Sequence, residues 1–235
     1  MYLNKRVSVV MPAYNEEEPI SKVVKGFLCN EYVDEVVVAD NNSTDKTHER
    51  ALKAGARVVT EKRQGYGYAC QRALKEASGD YIILVESDGT FSPSDVVKLL
   101  AYSDNFDVVL GTRTSKELIW DGANMGIFLK WGNWSLGKMI ELLYNGPSLT
   151  DVGCTFRLIK KQALHKISPQ FSVGGSHFSP EMIILIVKNN IRMIEIPVSY
   201  MPRLGESKIT GKGKWKAFTL GLVMIKYIVL NRFRP

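Results

Sequence analysis

Two acidic residues separated by one serine are the part of the sequence best suited to chemistry. Glu86, Ser87 and Asp88 follow the apolar run Tyr-Ile-Ile-Leu-Val at residues 81–85, so both carboxylates are expected at one edge of a sheet. Hard divalent cations such as Mg²⁺ or Mn²⁺ prefer oxygen ligands and often bridge protein carboxylates to a diphosphate. The pair therefore predicts a cation site. The alternative is a solvated loop, because acidic residues are common at strand ends.

Short runs rich in β-branched residues are predicted to form the strands that position these acids. They lie at residues 7–11, 35–40, 57–60, 81–85 and 108–112. Segments of helical length separate the first four runs, which is typical of a parallel sheet covered on both faces. After an insert at 115–145, two further strands are predicted at 155–159 and 192–198.

Helix starts and strand ends carry polar residues. Asn15 with Glu18, and Ser92 with Asp95, have the spacing of capping boxes. Polar side chains also follow each of the first five strands: Tyr14, Asn15 and Glu16; Asp40, Asn41 and Asn42; Glu61, Lys62 and Arg63; Glu86, Ser87 and Asp88; and Arg113. Because ligands bind outside the carboxyl ends of strands in open α/β sheets, these clusters are expected to line one crevice.

Seven short motifs occur in an order that resembles family 2 of the inverting glycosyltransferases, and within it the synthases of dolichyl- or polyprenyl-phosphate sugars. In chain order they are VVMPAYNE (9–16), VVADNNSTD (37–45), RQGYGYA (63–69), SGDYIILVESDGTF (78–91), GTR (111–113), DVGCTFR (151–157) and RLGESK (203–208). The resemblance implies a GT-A fold, which is an α/β fold with a Rossmann-like, mostly parallel sheet flanked by helices. It also implies a nucleotide-sugar donor and a Mg²⁺ or Mn²⁺ cofactor.

The resemblance assigns roles on the donor side of the crevice. The residues that would hold the base and ribose are Pro12, Ala13, Tyr14, Glu16 and Asp40. Gln64 and Gly65, together with Gly67, would let the backbone approach the donor. Asp88 would bind the cation and Glu86 would contact the cation, the ribose or both, and both acids would be catalytic. The family usually has Asp at position 86 and often Gln where this chain has Thr90, so the cation geometry is expected to differ. Without the resemblance, a turn proline, a helix N-terminal acid and a strand-end cap are the simpler interpretations of the nucleotide residues.

The resemblance also places basic residues around the phosphates of donor or acceptor. The matching positions are Arg113, Arg157, Arg203, Ser207 and Lys208, of which Arg113 and Lys208 would be catalytic. Bidentate arginine and mobile lysine suit phosphate oxygens, and a loop containing Gly205 would close over the donor. For residues 203–208, a solvated basic loop is the alternative.

An acceptor phosphate needs no general base, because its second pKa is about 6 and the dianion dominates near neutral pH. His48, His165 and His177 are accordingly interpreted as surface or packing residues. Asp151 is expected to position the acceptor or to act as the base for a hydroxyl acceptor, with a structural cap at a strand start as the alternative.

All of the net charge of +7 lies near the C-terminal end. The first 200 residues carry 23 basic and 23 acidic residues, whereas eight basic residues beyond them face only Glu206. This distribution favours a local anionic partner, such as a membrane face or a phosphate, over a nucleic acid. Cys29, Cys70 and Cys154 lack metal or disulfide spacing and are predicted to be small buried residues of a cytoplasmic protein.

Residues 217–230 form an apolar run that is shorter than the ~20 residues needed to span a bilayer. The run is expected to lie in the membrane interface, to pack on the body, or to meet a membrane-protein partner or a second copy. All four tryptophans fall in the insert or in the C-terminal tail that contains this run: Trp120, Trp131, Trp134 and Trp215. Because tryptophan favours the interface, the sequence predicts a catalytic domain at 1–213 and a basic, apolar, membrane-associating helix at 214–235.

These features predict a peripheral enzyme at the cytoplasmic face of a membrane. It would transfer a sugar from GDP-mannose or UDP-glucose to a polyprenyl or dolichyl phosphate, with inversion at the anomeric carbon. Two alternatives are a family 2 enzyme with a carbohydrate or lipid hydroxyl acceptor, and a nucleotide-sugar-binding subunit with little catalysis.

Overall fold

Seven strands form one sheet in a computed structural model that describes residues 1–123, 125–204 and 214–233. The strands are β1 (Val7–Ala13), β2 (Glu35–Asp40), β3 (Arg57–Thr60), β4 (Tyr81–Leu84), β5 (Val108–Thr112), β6 (Arg157–Lys160) and β7 (Met193–Pro197). All seven predicted strands are confirmed, with shifts of a few residues at their ends. β1 continues to Ala13 and so extends toward the predicted crevice.

The sheet is mostly parallel, as predicted, and has the order β3-β2-β1-β4-β6-β5-β7. β1 pairs in parallel with β2 and β4, and β5 pairs in parallel with β7. β6 is the exception, because it runs antiparallel to both β4 and β5. The carboxyl ends of β1, β2 and β4 therefore meet at one edge of the sheet.

Helices cover both faces of the sheet. They are α1 (Ile20–Leu28), α2 (Thr47–Lys53), α3 (Tyr66–Glu76), α4 (Val96–Ala101), α5 (Ile127–Tyr144), α6 (Lys161–Ile167), α7 (Phe178–Lys188) and α8 (Lys214–Arg232). Alternate residues of β1 enter different cores: Val9 and Met11 pack with α1, α2 and α4, whereas Val10 packs with α3 and α5 to α8. This two-sided burial explains the nearly continuous apolar strands.

Not all local predictions hold. α1 begins after Pro19 without a side-chain cap, and Asn15 instead adopts φ 51° and accepts from the Thr44 amide at 2.8 Å, so the first capping box is wrong. Ser92 does cap a single 3-10 turn by accepting from the Ser94 amide at 3.3 Å. Cys70 and Cys154 are buried as predicted, but Cys29 is exposed.

The C-terminal helix α8 packs on α5 and α7 along one face. Met224 and Ile228 belong to the same core as those helices, and the Tyr144 hydroxyl donates to the Ile228 carbonyl at 2.7 Å. The opposite face leaves Leu222 and Leu230 exposed. Of the three predicted placements, packing on the body therefore holds for one face of the helix. No helix within the described ranges is long and apolar enough to cross a membrane.

A half-buried carboxylate, Glu35, joins the amino-terminal ends of several strands. It accepts from the Ser8 hydroxyl at 2.5 Å, from the Ser78 amide and hydroxyl at 2.7 Å each, and from Arg57 at 3.2 Å. Burial alone would raise the pKa of Glu35, but the hydrogen bonds outweigh burial and lower this pKa to about 2. The charged form of Glu35 therefore stabilises the fold.

Glu35→Gln is expected to lower the free energy of unfolding by about 2 kcal/mol at neutral pH. Because the folded pKa lies below the unfolded one, this contribution is complete above about pH 5 and is lost as pH falls toward about 2. Denaturant melts of the wild-type protein and of Glu35→Gln should show a smaller difference in the free energy of unfolding at pH 3 than at pH 7. Glu117→Gln, at an exposed glutamate, is the control, and a Glu35 effect that is equal at both pH values would contradict the assignment.

Candidate active site

The loop after β4 holds Asp88 in a fixed, buried position. Its Oδ1 atom accepts from the Thr90 amide at 3.0 Å and from the Thr90 hydroxyl at 2.6 Å, and only 5% of the residue is exposed. The Ser87 hydroxyl donates to the Pro12 carbonyl at 2.8 Å, which fastens the loop to the end of β1. Gly89 completes the turn with φ +78°, a conformation that favours glycine.

Glu86, the second acid, faces the same space with a different set of contacts. The Tyr66 hydroxyl donates to its Oε1 atom at 2.7 Å. Burial and the nearby Asp88 carboxylate raise the pKa of Glu86, although hydrogen bonds from Tyr66 and Thr155 favour its charged form. Across the described part of the chain, no three His, Cys, Asp or Glu residues cluster as a metal site. Glu86 and Asp88 are the carboxylates that the loop after β4 offers to a cation.

Arg203 joins two buried acids across the crevice. Its Nη1 atom donates to Asp88 Oδ2 at 2.7 Å, and its Nη2 atom donates to Glu16 Oε1. The Leu204 amide donates to the Asp88 carbonyl at 3.0 Å, which aligns this segment with the acidic loop. The buried Nε atom of Arg203 has no hydrogen-bond partner among the residues that the structure describes. Three of the residues predicted for the site are therefore brought into direct contact.

The predicted nucleotide residues lie at the carboxyl ends of β1 and β2. Pro12 and Ala13 are buried at the end of β1, and Tyr14 is exposed immediately beyond it. Asp40 ends β2 directly beside Ala13 in the parallel register. These residues form one continuous edge with Glu16.

Asn41 belongs to the polar cluster predicted after β2, but its role in organising this edge was not predicted. Its amide nitrogen donates to the carbonyls of Glu61 at 3.0 Å and Arg63 at 2.8 Å, and its Oδ1 atom accepts from the Gly65 amide at 2.8 Å. Gln64 donates to the same oxygen at 3.3 Å. The position of Asn41 directly after a strand indicates that it lies at the crevice. Its hydrogen-bond partners could not be predicted, because they lie 20 or more residues away.

The glycines after Gln64 meet another loop of the protein. A Cβ atom on Gly65 would overlap the Gly174 carbonyl oxygen, and one on Gly67 would overlap the Val173 carbonyl oxygen. The Gly67 amide donates to the Gly174 carbonyl at 2.9 Å. Close packing against residues 173–174 therefore explains the absence of side chains at both positions.

Arg113 and Asp151 form a buried bidentate ion pair. Nε and Nη2 of Arg113 lie 2.8 and 2.9 Å from the two carboxylate oxygens, and the Arg113 guanidinium lies 5.0 Å from the centre of the Tyr200 ring. Glu195, which the sequence reasoning missed, accepts from the Asp151 amide at 2.9 Å. Asp151 is thus held as the partner of Arg113, and its carboxylate oxygens are already in use.

Arg157, another predicted phosphate contact, is buried and bonded within the protein. It is only 1% exposed, and its guanidinium donates to the Ser179 carbonyl at 3.4 Å, to the Ser179 hydroxyl at 2.5 Å and to the Cys154 carbonyl. These contacts turn its nitrogens toward the protein interior. Ser207 and Lys208 lie outside the described residues.

The three histidines take surface or packing positions, as predicted. His48 contacts Asp40 at 3.2 Å, His165 is exposed on α6, and the His177 ring lies 5.5 Å from the Tyr227 ring. None of them is among the described residues that line the cavity beside Glu86 and Asp88.

That cavity has a volume of about 390 Å³ and two chemically different ends. One end contains Glu86, Asp88, Arg113 and Arg203. The other is lined by apolar side chains of α5 and α8, including Leu129, Leu136, Met139, Met224 and Ile225. The cavity therefore joins a charged crevice to an apolar wall, a combination suited to a ligand with a charged head and an apolar chain.

Comparisons with known proteins identify the chain's relatives. The family model described as Glycosyl transferase family 2 matches residues 8–168. The low-salt glycan biosynthesis hexosyltransferase Agl6 of Haloferax volcanii is 32% identical over 231 residues, which are 96% of this chain and 53% of that protein. The chain thus spans about half the length of this relative. A dolichyl-phosphate hexose transferase of the same organism is 30% identical over 86% of each chain.

Solved structures confirm the predicted GT-A fold. Glucosyl-3-phosphoglycerate synthase from Mycobacterium tuberculosis, in complex with Mn²⁺, uridine diphosphate and phosphoglyceric acid, gives a TM-score of 0.75 at 21% identity, covering 97% of this chain and 78% of that chain. Its complex with Mg²⁺ and uridine diphosphate gives a TM-score of 0.70 at 21% identity, over 97% and 79% of the two chains. The family match covers more than half of the sequence and the fold agrees, so the chain belongs to glycosyl transferase family 2.

Proposed function

We propose that the protein transfers a hexose from a nucleotide diphosphate sugar to a polyprenyl or dolichyl phosphate, with inversion at the anomeric carbon. The observation that carries this proposal is the cavity that joins Glu86 and Asp88 to an apolar wall of α5 and α8. A lipid phosphate matches both ends of such a cavity, because it has an anionic head and a long apolar chain. The related dolichyl-phosphate hexose transferase supports the same acceptor class.

On the donor side, Pro12, Ala13, Tyr14, Glu16 and Asp40 bind the base and ribose in this proposal, beside the segment that begins with Gln64 and Gly65. The carboxylates at this edge suit ribose hydroxyls and base N–H groups, since both are hydrogen-bond donors. GDP-mannose and UDP-glucose are the donors to test first.

The residues fit a Mg²⁺ or Mn²⁺ ion held by Asp88 and Glu86. Mg²⁺ commonly uses one or two carboxylates and takes further oxygens from substrate phosphates and water, so two acids suffice. The contact of the Arg203 guanidinium with Asp88 supports this site, because it already brings a positive charge to the Asp88 carboxylate. When bound, the cation supplies charge stabilisation for the departing diphosphate.

On the acceptor side, a phosphate oxygen attacks the anomeric carbon as the bond to the donor diphosphate breaks. The dianion is already a nucleophile, so this step needs no protein base. Arg113 uses Nε and Nη2 to bind Asp151, which leaves its Nη1 atom for a phosphate. The same pair argues against Asp151 as the base for a hydroxyl acceptor, because a base needs an oxygen that is open to the substrate.

Incubation with each nucleotide sugar, a polyprenyl phosphate and Mg²⁺ or Mn²⁺ is expected to yield a sugar-labelled lipid. Thin-layer chromatography of the extracted lipid detects this product, and a matched polyprenol without phosphate is the control acceptor. Donor binding without transfer to any acceptor would instead support the nucleotide-sugar-binding subunit. Transfer to the alcohol alone would support the hydroxyl-acceptor enzyme.

Asp88→Asn is expected to reduce transfer by about 100- to 1,000-fold, because one carboxylate charge near the leaving diphosphate is removed. Excess EDTA should have a comparable effect on the wild-type protein. Asp104→Asn, at an exposed aspartate, is the matched control and should retain full activity. Turnover of Asp88→Asn close to that of wild type would remove this residue from the proposed cation site.

The proposal also includes an anionic membrane surface as a partner at the cytoplasmic face. α5 and α8, the two helices that form the apolar wall of the cavity, also expose several large apolar residues, among them Trp131 at 61%, Leu142 at 83% and Leu230 at 47%. Exposed tryptophan and leucine favour the membrane interface. A membrane-protein partner or a second copy of this chain would cover the same residues, and the vesicle experiment below distinguishes these occupants.

Leu230→Glu is expected to weaken binding to vesicles that contain anionic lipid by about tenfold, because burying a leucine contributes about 1.5 to 3 kcal/mol. Leu52→Glu is the matched control, since Leu52 is 50% exposed on α2, on the other side of the sheet. Vesicle flotation measures both variants. Equal flotation of the two variants, or no flotation of the wild-type protein, would contradict the membrane partner and favour a protein partner.

A further inference from the structure

Glu181 is a buried carboxylate on α7 that the proposed mechanism does not use. It is 0% exposed and accepts from the Ser172 amide at 2.9 Å, the Ser172 hydroxyl at 2.6 Å and the Val173 amide at 3.1 Å. A fourth donor comes from α8, where the Tyr227 hydroxyl lies 3.0 Å from Oε1. Burial and the nearby Glu181 raise the pKa of Tyr227, so this hydroxyl stays protonated and donates.

The loop that Glu181 holds caps the first turn of α3. The N-cap residue of this helix is Gly65, which has no side chain to cap it. Instead, the Gly174 carbonyl accepts from the Gly67 amide at 2.9 Å and from the Tyr68 amide at 3.3 Å. Because the first amides of a helix have no partner within the helix, a carbonyl from outside is a substantial contribution to its start. The Gln71 side chain adds a further link by donating to the Val173 carbonyl at 2.8 Å.

The first residue of α3 reaches the candidate cation ligands. Tyr66 donates to Glu86 at 2.7 Å, and both side chains line the cavity. Ser176, from the loop that precedes α7, lines the same cavity. A continuous series of hydrogen bonds therefore runs from α8 through Glu181 and residues 172–174 to the start of α3 and then to Glu86.

We propose that Glu181 is a positioning residue that couples the seating of α8 to the start of α3, and thereby to Glu86. The inference rests on the proposed function only in that Glu86 is a ligand of the donor's cation. Glu181 suits this role because a buried carboxylate stays in place only while its donors surround it. Since those donors come from the loop and from α8, displacement of α8 is transmitted to the loop.

The test is hydrogen exchange on the full chain without donor or cation. Tyr227→Phe removes the α8 donor to Glu181 and is expected to accelerate exchange of the Gly67 and Tyr68 amides about fivefold, the equivalent of one hydrogen bond. Tyr144→Phe is the matched control. It removes a different α8 anchor, the 2.7 Å bond to the Ile228 carbonyl, and leaves the donors of Glu181 in place.

Exchange at Gly67 and Tyr68 that rises more in Tyr227→Phe, which loses the α8 donor to Glu181, than in Tyr144→Phe, which loosens α8 at another point, supports the coupling. Unchanged exchange at these amides would overturn it, and so would equal increases in both variants. A uniform increase that includes the amides of β1 and β4 would also overturn it, because that result means global destabilisation.

Kinetics provide a second readout. Tyr227→Phe should raise the KM for the nucleotide sugar about fivefold while changing kcat less, because Tyr227 lies far from the reacting atoms along this series of bonds. An unchanged KM together with unchanged exchange would reject the role of Glu181. A wild-type protein that transfers no sugar would refute the proposed function, and the exchange result would still decide the coupling.

Discussion

The ion pairs of Arg203 with Glu16 and Asp88 hold the candidate site together. They join the segment after β1, the loop after β4 and the segment that follows β7, three parts of the chain that are distant in sequence. Two buried carboxylates at one edge repel each other and lose hydration, so the fold needs a cation between them. The guanidinium meets that need within the protein itself. A metal ion with a bound diphosphate would bring its own charge to the same place, which makes this edge electrostatically suited to exchange one cation for another.

Close backbone packing is the second constraint on the site. Gly65 and Gly67 leave room for the carbonyls of residues 173–174, more than 100 residues later in the chain. Tyr66, between the two glycines, donates to Glu86. The shape of the donor side therefore depends on a loop from the second half of the chain, although the resemblance assigned these glycines to donor approach.

The fold was predictable where the signal is local. Runs of β-branched residues located the first five strands, because burial on both faces favours nearly continuous apolar residues. The reversed direction of β6 was not predictable in this way, since a buried strand has the same residue types in either direction. The burial of Arg157 was not predictable either. The motif specifies an arginine at this position, but its burial follows from packing against Ser179. The organising role of Asn41, and the contribution of Glu195, were missed because their partners are distant in sequence.

The two ends of the cavity favour different parts of an acceptor: one end suits a charged group and the other an apolar chain. Its charged end is already organised by ion pairs, but the wall of α5 and α8 exposes apolar surface to any water that fills the cavity. Burying such surface contributes about 25 cal/mol per Å², so a ligand that covers the wall binds more strongly than one that leaves it wet. A sugar hydroxyl acceptor would contact the charged end alone. A lipid phosphate would satisfy both ends, and its chain would continue toward the exposed apolar residues of the same two helices. The helix that completes the cavity wall is also the helix seated on Glu181, so in the proposed coupling the seating of α8 bears on both the acceptor wall and the donor side.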